Sequence, residues 1–525
     1  MAKYLTKRIL LSMFSIVMVV GIVMIMIYSA LDKTLIFAND SNFNKVNANT
    51  KSNYMQQQWE LYGYVDHVPY ADWLKSLLYS DEIDQETYAL ALKFGDKCVG
   101  ENEIAAEYIA RFTQEMQEDG YEVVPLEAQY KPKTVKYKDG GQPYLYATKS
   151  ISVFVRLWNY FTGLLDIDSI NYSQEVENPG LTFTLYDPLY GGEKFSPAII
   201  GNGTYHKYLL YFDNIFPFVH QNIVNIKLGA SYSVNRGIDV WNTLTESQGS
   251  YVLSTVLYPT GTEAQSADNL HSAVYMSGSL ENGTAITKSL YTDNYTSVTT
   301  VKSGLSRMGY SFVCGILSAI MAYAFAVPLG ILMALKKDKL IDKIGTAYIM
   351  FITAVPSLAY IFLFRAIGSN VFGLPTTFDM EHPTWTMYVL PVVSLALPSI
   401  AGMMKWLRRY MIDQMNSDYV KFARSGGLSE GEIFTKHILK NAIIPITHGI
   451  PGTILGAVTG AIITERVYVV PGAGNMLTRA INAYDNGVIV GMTLFYAVLT
   501  VVSIILGDVL MSVIDPRISY TDKAR

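Results

Sequence analysis

Seven histidines (His67, His206, His220, His271, His382, His437 and His448) and two cysteines (Cys98 and Cys314) are the side chains of this 525-residue chain best suited to hold a metal or act as nucleophiles. Their spacing supports neither use. No histidines form H-E-x-x-H and neither cysteine has a metal-spaced partner, so no metal site is expected. The chain also lacks a Gly-Lys dipeptide, which removes the G-x-x-x-x-G-K-[ST] loop that cradles the phosphates of ATP. No catalytic residues are expected.

The polar chemistry is concentrated elsewhere, in "DYVKFARSGGLSEGEIFTKHILK", residues 418–440. Asp418 is placed to cap a helix whose apolar stripe is Tyr419, Phe422 and Ala423. Gly426 and Gly427 stop it, because glycine tolerates the left-handed conformation of a helix C-terminus. Ser429 and Glu432 have capping-box spacing. The second helix places Ile433, Phe434, His437 and Ile438 on one face, with Lys436 and Lys440 near its negative end. Two short amphipathic helices joined at a glycine turn have two uses. The apolar face either rests on lipid headgroups or fills a groove on a partner protein.

The elements around this stretch are apolar. Residues 9–28 form a 20-residue run without a charge, the length a helix needs to cross the hydrocarbon layer. Similar runs at about 308–335, 344–367, 385–404, 443–463 and 488–511 bring the expected spans to six. The first is read as an uncleaved span, because it is long for a signal peptide and ends in a poor cleavage site. Residues 31–306 hold 32 acidic and 19 basic residues, a net of −13. The remainder holds 13 acidic and 21 basic, a net of +8. Lysine and arginine collect at the N-terminus (Lys3, Lys7, Arg8), at 336–343, at 405–440 and at the C-terminus (Arg517, Lys523, Arg525). The loops 368–384 and 464–487 carry only Arg466 and Arg479. Both termini and the 418–440 stretch are therefore expected in the cytoplasm, with 31–306 outside.

The domains expected are 1–30, a cytoplasmic N-terminus and first span; 31–306, a mixed α/β extracellular domain; and 307–525, spans two to six with a cytoplasmic loop at 405–442 and a cytoplasmic tail. In 101–120, Ile104, Tyr108, Phe112 and Met116 recur every fourth residue and close on Gly120, which predicts a helix. The following "YEVVPLEAQYKPKTVKY" reads as strand. Two segments, 155–173 and 216–234, each pair an amphipathic aromatic stretch with a glycine-containing turn, a weak hint of a repeat and of contact with the outer membrane surface. With only two cysteines, one in 31–306 and one in the second span, no disulfide staples the outer region internally, which fits a bacterial cell surface. His448 and Asp508 fall inside spans, where polar groups are functional candidates.

The stretch "DYVKFARSGGLSEGEIFTKHILKNAIIP" resembles the EAA loop of ABC importer permeases, in the variant of oligopeptide and dipeptide permeases. Ala423 and Gly427 match the family's second alanine and its glycine, followed by Ser429 and Glu430. Lys421 stands where the general pattern has glutamate, and Phe422 where it has its first alanine. "PLGILMALKKDKLIDKI", "VPSLAYIFLF", "ITERVYVVPGAGNMLTRAI" and "DPRIS" are similar to the membrane-spanning B-type subunit of peptide importers. That resemblance covers 1–30 and about 300–525. The long 31–306 segment, with "AIIGNGTYHKYLLYFDN" at 198–214, is similar to the enlarged form in Gram-positive peptide permeases of the streptococcal Ami type.

The resemblance implies an α-helical polytopic membrane protein of the ABC type I importer permease fold, working as half of a peptide pore. The implied partners are a second homologous permease, two ABC ATPases, an extracellular peptide-binding lipoprotein, the peptide and membrane lipid, with no nucleic acid. ATP and Mg2+ would belong to the ATPases, with no cofactor on this chain. Asp418, Tyr419, Lys421, Phe422, Ala423, Arg424, Gly427, Leu428, Ser429, Glu430, Ile433, Phe434 and His437 are implied to couple to an ATPase. Glu465, Arg466, Pro471, Gly472 and Gly474, plainly a turn, are implied to sit at the outer mouth of the translocation path. The alternative is a multi-span surface receptor or adhesin acting through 31–306, although an anchor needs only one span.

Overall fold

A computed structural model of the chain describes residues 2–46, 48–92, 103–124, 145–170, 178–213, 218–276, 280–281, 283–380 and 382–514. Cys98, most of the strand-like stretch after Val124, residues 171–177 and 216–217 of the two aromatic segments, and Arg517, Lys523 and Arg525 lie outside them. The chain divides into two compact units. One comprises residues 21–162 and 483–487; the other comprises 1–20, 163–482 and 488–525.

In the first unit, helices Tyr70–Tyr79, Gln85–Leu92 and Glu103–Glu118 pack against a three-stranded antiparallel sheet whose middle strand is Tyr146–Ser150. The four-residue spacing read at 104–116 is real, and it buries Phe112 completely against Tyr70 and Trp73 in edge-to-face contacts at 5.4 and 5.3 Å. Such aromatic pairs add to the ordinary gain from burial. Gly120 ends the helix at φ +78, with Tyr121 N–H donating to Met116 O at 2.8 Å. The helix Val153–Thr162 also belongs here. In the segment 216–234, by contrast, residues 219–221 and 224–226 are strands of the other unit. The repeat is therefore not seen among the described residues.

In the second unit, residues 163–306 form a four-stranded antiparallel sheet (Gly180–Thr184, Ala198–Asn202, Tyr208–Phe212, Val219–Gln221) and three two-stranded ribbons. Asp187 is buried between Tyr208 Oη at 3.1 Å and His271 Nε2 at 3.0 Å. Most of the remainder is helical. Arg307–Leu335, Thr386–Met415, the run from Glu430 to Tyr468, and Asn486–Ile514 are long and apolar enough to cross a membrane, as is Thr6–Ala30, which both units share.

The third expected span, 344–367, is not a straight helix. Leu340–Ala354 and Ser357–Phe372 meet at 114°. Pro356 has no N–H to continue the ladder and drives Val355 out of the helical region, to ψ 131. The loop expected at 464–487 contains a further helix, Ala473–Asn482. Helices approach closely at glycine: a Cβ on Gly315 would stand 2.8 Å from Val458 Cγ2.

Candidate functional site

The 418–440 stretch folds as two helical turns of opposite role. Its first helix runs Asp418–Ser425, and the N-cap is Ser417 rather than Asp418. Asp418 lies one residue inside, where its carboxylate still meets the positive end of the helix. It accepts from Lys421 Nζ at 2.9 Å, and this ammonium holds it below the ordinary carboxylate range.

The apolar stripe is rotated from the expected one. Val420 and Ala423 are buried, whereas Phe422 is 81% exposed and Tyr419 37%. At 100° per residue Phe422 points almost opposite Val420, so the helix cannot bury both. Tyr419 Oη donates to Gln414 Oε1 at 2.5 Å and accepts from Asn441 Nδ2 at 3.1 Å, tying the first helix to both flanking elements.

Gly427 closes the helix with φ +82. Its N–H donates to Arg424 O at 3.1 Å and that of Leu428 to Ala423 O at 3.3 Å, the paired bonds of a Schellman motif. Ser429 and Glu432 then form the full capping box. Arg424 spans the turn as a fork, donating to the two oxygens of Glu430 at 2.6 and 3.0 Å.

Residues 433–439 form a π-helix rather than the expected α-helix. The wider turn brings Ile433 and Ile438, five apart, onto one inward face; an α-helix would separate them by 140°. Both are buried with Val420, Ala423, Leu407, Met411 and Ala334. Full burial of each isoleucine is favourable by about 1.5–3 kcal/mol. Phe434 and His437 are half-buried, and Lys421, Arg424, Leu428, Ser429 and Glu430 are exposed. The stretch is thus seated on the ends of Arg307–Leu335 and Thr386–Met415 by its buried residues and presents the others outward.

Beside it, Arg408 Nε and Nη2 donate to the two oxygens of buried Asp342 at 2.6 and 2.7 Å, locking the start of Leu340–Ala354 to Thr386–Met415. The only hint in the sequence is a pair of aspartates, Asp338 and Asp342, among the lysines at 336–343. Asp508 pairs with Arg8 Nη1 at 2.7 Å and lies 3.6 Å from His448 Nε2. Two of the polar groups noted within spans therefore meet, and a basic residue of the first helix joins them.

At the 465–477 turn, Glu465 is not in a loop but in the last helical turn before Tyr468, and it is 1% exposed. Its carboxylate accepts from Ser311 Oγ at 2.5 Å and from Asn475 N–H at 2.9 Å. The negative group therefore sits at the N-terminus of Ala473–Asn482, where free amides point outward. Gly472 leaves no room for a side chain beside that carboxylate, and a Cβ on Gly474 would stand 2.6 Å from Ile462 Cα. Pro471 is buried and Arg466 exposed.

Between Ser357–Phe372, Thr386–Met415 and Ile450–Tyr468 lies a cavity of about 470 Å³ whose polar lining comes from hydroxyls, including Ser357, Tyr360, Ser394, Thr453 and Thr464. No lining residue is charged. Among the described residues no group of three His, Cys, Asp or Glu side chains could hold a metal ion.

Long apolar helices, a capped helix–glycine–helix seated on their ends and an uncharged cavity are features of an integral membrane component of a transport system. Residues 326–520 match the family of binding-protein-dependent transport system inner membrane components. The chain is 35% identical to the oligopeptide transport system permease protein AmiC of Streptococcus pneumoniae (strain TIGR4), over 100% of this chain and 99% of that protein, and equally to AmiC of strain R6. It is 29% identical to the oligopeptide permease AppB of Bacillus subtilis, over 41% of this chain and 71% of that protein. A solved amino acid ABC transporter covers 40% of this chain at 18% identity and a TM-score of 0.31, too slight a likeness to bear on the fold. The chain belongs to the family of oligopeptide transport system permeases and is a multi-pass membrane protein.

Proposed function

We propose that this chain is the permease subunit of an ATP-driven peptide importer in which 418–440 receives the motion of a cytoplasmic ATPase. The observation that carries the coupling is the division of labour within the stretch. Val420, Ala423, Ile433 and Ile438 fasten it to the membrane helices, while Phe422, an aromatic 81% exposed, is held outward on a helix closed by the Gly427 turn. A bulky apolar side chain held rigidly in water suits a partner's groove, as aromatic anchors do at interfaces. The Schellman turn and the Arg424–Glu430 fork make the pair of helices one stiff handle. Lys421 and Asp418 offer a charge pair on the same exposed side.

Counting the bent pair as one span gives up to six by length and composition, which supports the expected number. The lysine and arginine distribution then sets both termini inside, 31–306 outside, and the Glu465 turn at the outer face. This chain would form half of the pore with a second permease, coupled to two ATPases that hold ATP and Mg2+, and would receive peptide from an external binding lipoprotein. The hydroxyl-lined cavity fits such a substrate, since hydroxyls can bond backbone amides of any sequence without selecting a charged side chain. Affinity purification in mild detergent tests the assembly. Copurification of a second permease and ABC ATPases is expected, and a chain that elutes with neither would overturn it in favour of a surface receptor.

A further inference from the structure

The helix Val153–Thr162 turns two of its four aromatic side chains, Phe154 and Trp158, away from the protein. Phe154 is 75% exposed, Trp158 70% and Val155 49%. On a helical projection they share one face, with Thr162 between Trp158 and Val155 and Asn159 at its edge; the Thr162 hydroxyl donates to Trp158 O at 2.9 Å and so satisfies its own polar group. The single charge of the helix, Arg156, is turned the other way. Its guanidinium stands 3.6 Å from the ring centre of Tyr28 and 4.1 Å from that of Tyr64, and donates to Tyr62 O at 3.3 Å. Burial pushes its pKa down from the ordinary arginine value. An amphipathic helix resting on a wet surface normally turns its arginine to water; this one turns the arginine inward, half-buried, and exposes Phe154 and Trp158.

What covers that face follows from what the helix rests on. Leu157 packs beside Gly21 of the first membrane helix, where a Cβ would stand 3.1 Å from its Cδ1, and Arg156 reaches Tyr28. Gly21 is seven residues, about 10 Å, below Tyr28 along the helix axis. Around it Ile22, Ile25 and Met26 of the same helix are 51%, 41% and 63% exposed, as lipid-facing residues are. The helix that carries Phe154 and Trp158 thus lies beside these residues, and interfacial helices sink about 5–10 Å into the headgroup boundary. Tryptophan and tyrosine are enriched at this level.

We propose that Val153–Thr162 is an interfacial anchor embedded in the outer leaflet, binding acyl chains through Phe154, Val155 and Trp158. It extends the lipid contact of the first span and holds the 21–162 unit against the bilayer.

The test uses the full chain in lipid nanodiscs, alone and in the assembled importer, with Cys98 and Cys314 replaced and a nitroxide attached at Phe154→Cys or Trp158→Cys. Ile22→Cys serves as the lipid-facing reference and Tyr79→Cys, at a residue 74% exposed, as the water-facing one. The expected result is a depth parameter shifted towards that of Ile22, with oxygen colliding more often than the water-soluble nickel chelate. Two outcomes overturn the proposal: nickel accessibility equal to that of Tyr79 shows a solvated face, and loss of both collision rates in the assembled importer alone shows a protein partner covering it. All four labelled positions are exposed, so the labels leave the core packing in place.

Discussion

Replacing Phe422 by alanine separates the stability of the chain from its hold on a partner. The side chain is 81% exposed and packs on nothing that its loss would leave open, so unfolding of the chain should change by less than about 0.5 kcal/mol. Complete burial of phenylalanine is favourable by about 1.5–3 kcal/mol. With 81% of the side chain still available, a groove that encloses it gains about 1–2.5 kcal/mol, equivalent to roughly 5- to 70-fold in affinity. The assay is titration of purified ATPase subunits onto nanodiscs carrying the permease pair, with a thermal melt of the same sample. Weaker binding by this factor with an unchanged melt is expected. Unchanged affinity would refute the assignment of Phe422 as an anchor. A lowered melting temperature would show that the residue supports the fold instead.

Asp342→Asn should destabilise the transmembrane bundle by about 3 kcal/mol, because it leaves the Arg408 guanidinium without its carboxylate. In a double-mutant cycle read by thermal unfolding in detergent, Asp342→Leu with Arg408→Leu should recover much of that loss. Gly474→Ala forces a methyl against the backbone at Ile462 and should cost about 1–3 kcal/mol in the same measurement, with Arg466→Ala as a silent control. His67, buried beside Glu60 at 3.2 Å, has its pKa pushed below 6.5 by burial. Its proton therefore binds the unfolded chain more readily, so its contribution to stability is present above pH 6.5 and is lost as pH falls below it. Melting the wild type and His67→Gln between pH 5 and 8 should show the variant with the shallower decline on the acid side.

The parts of the candidate site legible in the sequence are those fixed by near neighbours. Gly427, the Ser429–Glu432 box and the break before Ser429 are set within three or four residues, and the structure has them as read. The inward face was less legible. Choosing Phe422 over Val420 as a core residue follows hydrophobicity, but the membrane helices beneath decide which face they receive. The π-turn at 433–439 arises because Ile433 and Ile438 must both reach that surface, which no α-helical periodicity displays. The Asp342–Arg408 lock joins residues 66 apart, and Glu465 bonds Ser311 across 154 positions. Neither pairing leaves a local signature. Pro356 carried the signal for the broken third span, since it removes a donor and restricts Val355, yet the hydropathy of 344–367 runs straight through the break.

On the proposed function, ATP hydrolysed by partner subunits moves peptide through this chain by way of the 418–440 handle. The most direct measurement is accumulation of labelled oligopeptide in proteoliposomes holding the whole importer, with wild-type chain or with Gly427 deleted. Deletion removes the residue at φ +82 and breaks both Schellman bonds. ATP-dependent uptake by the wild type, and its loss in the deletion with insertion and permease pairing intact, is the predicted result. Equal uptake by the two, or accumulation that needs no ATP, would contradict it.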